Sequence, residues 1–414
     1  MKVLWISNII FPEVCKELNI NAPVVEGWMQ SGATALIESS ADIELAVVSF
    51  YKGDRLQIID KFKIRYYLVP KSSKFYDKDL EAYYRRVVDD YIPDIVHIHG
   101  TEYTHSLAFV RSCGRKNVVV SIQGMVSIYA NYYFGGIPLH IIRRYISLRD
   151  ILRADTLINQ QKNMAKRGKC ERELIKSVEH IIGRTSWDRS CCWAINPHAK
   201  FHFCNETLRD SFYEGKWDYN SCEKHTIFLS QAHYPIKGFH KLIESLPLII
   251  RIYPDTHVYV AGTDFFTRDF LRNGYSCYIN SLIDKYGLRK HIHFLGNLQE
   301  RDMVDQFLKA NVFVCPSAIE NSPNSVGEAQ LLGVPCIGSY VGGVMDMIID
   351  GETGFLYRFE ETALLAMRIC EIFRDNDLCN RLSEKGRKVA ALRHSKTHNA
   401  TALISIYQKI YKSL

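Results

Sequence analysis

At 414 residues the chain is long enough for two domains, each with its own core, and 47% hydrophobic against 23% charged residues describes an ordinary soluble globular protein. No apolar run approaches the ~20 residues that a membrane span requires. Twelve scattered cysteines, with Cys191 and Cys192 adjacent and no C-x-x-C pair, fit a reducing compartment and exclude a disulfide framework or a cysteine zinc site. The net charge of +7 sits in the first half. Residues 1–205 hold 28 Lys/Arg against 21 Asp/Glu, while residues 206–414 hold 24 of each.

The opening MKVLWISNIIFPEV reads as a first strand, Lys2–Ser7, better than as a signal peptide, since no small-residue cleavage site follows. A long loop with Pro12 and Pro23 leads to Gly27 and a helix from about Trp28 to Ser39. Strands are predicted at Ile43–Phe50, Ile64–Val69, Ile95–His99, Asn117–Ile122 and His180–Gly183, the last closing the series, with a helix at Asp79–Tyr91. Short apolar strands alternating with helices predict an α/β fold with a parallel sheet. Ligands should then gather at the strands' carboxyl ends, near Gly27, His99, Gln123 and Thr185. His97 and His99 share one strand, and only one of them is expected to face the ligand edge.

Residues 139–176 carry ten Lys/Arg against four Asp/Glu, interleaved with Ile and Leu at helical spacing. A basic helix with apolar residues favours anionic lipid headgroups over nucleic acid, for which no binding motif is present. Residues 206–224 lose the strand pattern and read as a linker between a first domain, 1–205, and a second, 225–392. The second series predicts strands at Thr226–Leu229, His257–Ala261, His291–Leu295 and Val312–Cys315. Helices are predicted at Lys237–Tyr253, around Asn280–Tyr286 and at Met303–Lys309. Residues 393–414 contain an amphipathic helix, Thr397–Tyr411, predicted to return to the first domain.

The stretch Val312–Phe355 organises the second half. A helix is predicted to start near Ser322, as N-cap, with Pro323 just inside. Glu320 precedes that start and Glu328 follows it, so two carboxylates flank a helix N-terminus that favours an anion. This combination suits a ligand carrying both phosphate and hydroxyls. Two solvated surface glutamates would spell the same pattern. Lys237 and Gly238, at a strand-to-helix turn, add a point charge for a phosphate.

Several motifs stand in one order: Ile236–Gly238, Phe294–Gly296, the Glu-x₇-Glu pair Glu320/Glu328, Gly333–Pro335, Gly342–Gly343 and Asp350–Leu356. Together they resemble the donor domain of glycosyltransferase family 4, of the capsular and O-antigen polysaccharide type. Asp94–Gly100 and Val119–Met125 match the first domain more loosely. The resemblance implies a GT-B fold, two doubly wound Rossmann-like domains facing across a cleft. It implies a retaining hexosyl- or N-acetylhexosaminyltransferase that needs no metal or cofactor. The donor would be a nucleotide-diphosphate sugar, UDP-linked, and the acceptor a lipid-linked saccharide. The expected location is cytoplasmic, peripheral on the inner face of the membrane.

By the same resemblance, Glu320 would contact the donor sugar, and Ser322, Asn324 and Ser325 the sugar and diphosphate through backbone N–H groups. Glu328 would hold the ribose, Lys237 the diphosphate, and Asn297 and Leu298 the nucleobase, while Gly27 would allow close approach. Gln231 stands where many members have an arginine, so Lys237 must carry more of the charge or Arg184 must help. Gln123 stands where many have histidine and cannot titrate, which favours proton transfer to the leaving phosphate. Glu320, Lys237 and Gln123 are thus the expected catalytic set, and His99, Gln123 and Arg184 the acceptor side. A sugar-nucleotide epimerase of the same fold, or a non-catalytic donor-binding subunit, would share most of these features.

Overall fold

A computed structural model describes residues 1–20, 27–72, 74–267 and 272–413. The predicted loop proline Pro23 lies outside them, and Pro12, expected in a loop, instead opens a short helix, Pro12–Glu17. The chain divides into two compact units. The first holds residues 1–128, 165–209 and 393–414, and the second holds 129–164 and 210–392. The expected uninterrupted domain 1–205 therefore differs from the structure, because residues 129–164 belong with the second unit.

Among the described residues the first unit is built on eight strands. These are β1 Lys2–Ile6, β2 Glu44–Tyr51, β3 Gln57–Lys61, β4 Ile64–Pro70, β5 Ile95–His99, β6 Val118–Ser121, β7 His180–Gly183 and β8 Lys200–Phe203, in the order β3-β4-β2-β1-β5-β6-β7-β8. All neighbours pair parallel except β3, which runs antiparallel at the edge. Two strands escaped the sequence reading. β3 is half-polar, with alternating exposure, and β8 is a four-residue edge strand, so neither carries the solid apolar run of a central strand.

The two faces of this sheet bury alternate residues. Leu4, Ile6, Val96 and Ile98 face one cluster, shared with Tyr84 and Val87 of helix Asp79–Tyr91. Val3, Trp5, Ile95 and Val119 face the other, closed by Ile406, Tyr407 and Ile410 of the C-terminal helix Lys396–Tyr411. The Trp5 indole donates to the Tyr407 hydroxyl at 2.9 Å, fixing that helix on the sheet.

Among the described residues the second unit carries six strands. They are β9 Thr226–Leu229, β10 His257–Val260, β11 Ile292–Phe294, β12 Val312–Cys315, β13 Cys336–Ser339 and β14 Phe355–Tyr357, all parallel, in the order β11-β10-β9-β12-β13-β14. The chain enters at β9, builds outward to β11, then returns to the other side of β9 with β12. That reversal leaves a crevice beyond the carboxyl ends of β9 and β12, where ligands of such sheets bind.

The basic segment 139–176 is not one helix. It breaks into Leu139–Arg144, Leu148–Leu152 and all but the last residue of Leu157–Ser177, and the unit boundary falls after residue 164. The physical reason is local. Ser147 and Asp150 form a reciprocal capping box that restarts the helix, and Ala154 takes a left-handed conformation (φ 50°) that ends it. Among the described residues, no helix is long and apolar enough to cross a membrane.

Candidate active site

In the second unit, the loops after β9 and β12 meet at the switch point. The Lys237 ammonium donates to the Glu320 carboxylate at 2.6 Å, and the Ser317 hydroxyl donates to the same oxygen at 2.8 Å. Burial works against the charged lysine, yet the adjacent Glu320 carboxylate holds its pKa above the ordinary range. Glu320 and Glu328 are each only 6% exposed, which overturns the alternative of two solvated surface carboxylates.

Backbone geometry makes this meeting possible. Gly238 has φ 70°, and a Cβ there would lie 1.7 Å from the Pro316 carbonyl oxygen. Gly342 has φ 51°, and its Cβ would lie 1.9 Å from the Glu320 carbonyl, which instead accepts from the Gly343 N–H at 3.0 Å. The Ala318 N–H donates to Ile236 at 2.7 Å, tying the two loops together. Glycine is required at both turns because loops from three strands converge closely.

The helix after β12 is Asn324–Leu332, with Pro323 as N-cap and no side-chain cap. This corrects the expected Ser322 cap: the Ser322 hydroxyl is buried and donates to the Met347 sulfur at 3.6 Å. Without a side-chain cap, the first-turn N–H groups remain a positive terminus. Asn324 and Ser325 open the helix and Glu328 follows one turn later. Gln231 lies in the loop after β9, and Asn297 and Leu298 follow the turn at Gly296 (φ 69°) after β11. These positions all stand at the carboxyl edge of one sheet.

A strap from earlier in the chain supports the site, and the sequence reading missed it. The Tyr129 hydroxyl donates to the Asn321 side chain at 3.4 Å, and His240 Nε2 donates to the Gly135 carbonyl at 2.8 Å. Asn321 is buried beside Glu320, and its amide nitrogen has no hydrogen-bond partner among the described residues. Its position between the two glutamates was the only available signal.

In the first unit, His99, Gln123 and Arg184 follow β5, β6 and β7. Gly27 precedes helix Trp28–Ser39 with right-handed angles (φ −58°), so its backbone does not itself require glycine. Gln123 and Arg184 converge on Glu206, which the sequence reading did not single out. The Gln123 amide donates to one carboxylate oxygen and Arg184 Nη1 to the other at 2.6 Å. Burial raises the Glu206 pKa, opposed by Arg184 and Gln123. The Arg184 guanidinium is thus already engaged within its own unit.

His97 and His99 correct an expectation. Residues two apart on a strand share a face, and their rings lie 3.8 Å apart between Trp5 and the C-terminal helix. His97 is held by the Tyr407 and Ser121 hydroxyls, each at 2.6 Å. Both nitrogens of His99 are buried with no hydrogen-bond partner among the described residues, and burial pushes its pKa down to about 3. Beside it lies a cavity of about 50 Å³, lined by Trp5, Trp28, His99, Arg184 and Glu206, with room for a few waters.

The chain resembles known proteins in sequence over part of its length and in fold over all of it. Residues 214–389 match the family described as Glycosyl transferases group 1. A putative glycosyltransferase, YtcC, of Bacillus subtilis is 30% identical over 190 residues, 45% of this chain and 46% of that protein. The capsular polysaccharide biosynthesis glycosyltransferase CapM of Staphylococcus aureus is 28% identical over 152 residues, 37% of each. The matched stretch thus spans less than half the length of either relative. Over the whole chain the fold is that of a sucrose-phosphate synthase from Thermosynechococcus elongatus (TM-score 0.74, 15% identity, 100% of both chains). It is equally that of Anabaena Alr3699/HepE, solved with UDP and glucose (TM-score 0.67, 15% identity, 99% of both chains). Residues 214–389 are therefore similar to glycosyl transferases group 1, within a chain whose fold is GT-B.

Proposed function

We propose that the protein is a retaining glycosyltransferase that moves a sugar from a UDP-linked donor to a lipid-linked saccharide in surface polysaccharide assembly. The observation that carries this reading is the buried Lys237–Glu320 pair at the switch point of the second sheet, beside an uncapped helix N-terminus. A cation and a positive helix end suit a diphosphate, and two buried carboxylates suit the hydroxyls of a sugar and a ribose. Alr3699/HepE, which shares the fold, was solved with UDP and with UDP-glucose. CapM, a relative of the matched domain, is named for capsular polysaccharide biosynthesis.

In this reading Lys237 and the N–H groups around Asn324 and Ser325 take the growing charge on the diphosphate as the bond to the anomeric carbon breaks. Glu320 orients the sugar and Glu328 the ribose. The acceptor oxygen bonds to the anomeric carbon on the face the diphosphate leaves, and its proton passes to the departing phosphate oxygen. Gln123 positions a sugar hydroxyl and moves no proton. No metal enters the scheme. The protein works at the cytoplasmic membrane face, where its basic segment meets anionic lipid.

The test is turnover of a panel of nucleotide sugars by wild type, Glu320→Ala and Lys237→Ala, alongside thermal unfolding. Both variants are expected to remain folded and lose transfer. Turnover at the wild-type rate in either folded variant would overturn the assignment.

A further inference from the structure

Helix Leu148–Leu152 in the second unit is inverted relative to an ordinary surface helix. Its acidic residue points inward and its apolar residues point out. Asp150 is 2% exposed, whereas Leu148, Ile151 and Leu152 are 72%, 63% and 77% exposed. A five-residue helix with three outward aliphatics would normally roll to bury them.

The structure shows why it does not roll. The Asp150 carboxylate accepts from the Gly274 N–H at 2.7 Å, at the start of helix Gly274–Lys285, and from the Ser147 N–H at 3.3 Å. Arg149 donates to its other oxygen at 3.2 Å. Just upstream, the Tyr145 hydroxyl bonds Ser281 Oγ at 2.6 Å. A buried carboxylate occupies the position that a leucine would take, so the aliphatics are held outward by the fold.

The surroundings are cationic. Arg143, Arg144 and Arg153 are exposed immediately on either side, Leu139 is exposed one turn earlier, and Lys162 follows on the next helix. Arg149 is neutralised by Asp150 and Asp155, the only acidic residues between Tyr129 and Met164. Outward aliphatics flanked by arginines that make no ion pair among the described residues complement an anionic bilayer surface: the side chains enter the acyl boundary while the guanidinium groups meet phosphates. A second copy of this chain would bring the same arginines together and repel.

We propose that Leu148, Ile151 and Leu152 form a wedge that inserts into anionic membranes, with Arg143, Arg144 and Arg153 as headgroup contacts. The proposal deepens the membrane-side part of the functional reading and rests on it, while standing apart from the donor chemistry. It places the membrane contact on the unit that carries Lys237 and Glu320.

The experiment is sedimentation of the full chain with phosphatidylcholine vesicles and with mixed phosphatidylcholine–phosphatidylglycerol vesicles. UDP binding is measured on the same samples. Wild type is expected to bind the mixed vesicles, weakly or not at all the neutral ones, and less as salt rises. Leu148→Ser/Ile151→Ser/Leu152→Ser should lower partitioning about tenfold or more, as should Arg143→Glu/Arg144→Glu/Arg153→Glu. Both variants should keep UDP binding, which shows that they fold. Wild type remaining soluble with both vesicles would overturn the wedge, as would a serine variant that binds like wild type. So would a concentration-dependent dimer in ultracentrifugation that the serine variant abolishes. Vesicle binding by a wild type that binds no UDP would instead count against the glycosyltransferase reading alone.

Discussion

The two sheets reverse their strand order in the same way, yet the chemistry at their switch points is opposite. In the second unit the loops after β9 and β12 bring a lysine and a carboxylate into a buried charged pair. In the first unit the end of β5 carries His99, neutral and walled by aromatic rings, and the charges are drawn aside into the Arg184–Glu206 pair. In the proposed function the edge of the second unit takes an anion and that of the first a neutral, polyhydroxylated or apolar group. The same topology thus hosts either, and the loop residues decide which.

The strongest way to break the contrast is to remove the turn that creates the charged edge. Gly238→Ala places a Cβ against the Pro316 carbonyl at positive φ and should destabilise the protein by about 3 kcal/mol or more. Denaturant unfolding checks this, and a near-neutral effect would show that the turn can open.

Glu320→Gln is next. It should lower kcat/KM roughly a hundredfold to a thousandfold. Because Lys237 is already engaged by Glu320 in the free protein, the same change should tighten UDP binding about tenfold by removing a competitor. Calorimetric titration with UDP decides; unchanged or weaker binding would mean that the pair persists beside the nucleotide.

Histidine probes the neutral edge. The folded pKa of His99 is depressed to about 3 from 6.5, so the unfolded chain takes up the proton first. Its contribution to stability is complete above the unfolded value and is lost as pH falls from there toward about 3. At about pH 5 the loss is about 2 kcal/mol. Glu206 is shifted upward and acts in the opposite sense. The comparison of wild type with His99→Gln isolates the histidine: the variant should unfold with a flatter acid dependence.

Gln123→Ala tests whether the edges divide donor and acceptor duties. It should reduce kcat about tenfold with UDP affinity unchanged. A shift in UDP affinity would move Gln123 to the donor side. The smallest effect belongs to chelation: EDTA should leave turnover unaltered, and a loss restored by Mn²⁺ would require a metal in the scheme.

Much of this was legible in the chain itself. Strands β5, β7, β9 and β12 are rich in apolar residues, and their ends match the predicted bounds to the residue. The pairing of Lys237 with Glu320 across 83 positions was implied only through the motif order, since no local rule connects loops from adjacent strands. Glu206 stayed hidden because one glutamate in an irregular segment carries no periodic signal. The basic stretch read as one helix because composition records charge but not the Ser147–Asp150 box that breaks it. The strap 129–164 falls outside the predicted domain boundary for a related reason. Its anchors, such as Tyr129 to Asn321 and His240 to Gly135, are single contacts that leave no sequence pattern.

That strap has a consequence for how the molecule can be taken apart. The chain passes between its two units four times, after residues 128, 164, 209 and 392. A donor half excised at the linker would leave behind Gly135, which His240 contacts, and Asp150, which caps the helix at Gly274. Chimeras that exchange donor halves at a single junction should therefore yield insoluble protein, whereas exchange of 129–164 together with 210–392 should keep both units intact. The unit that recombination can move is a discontinuous one.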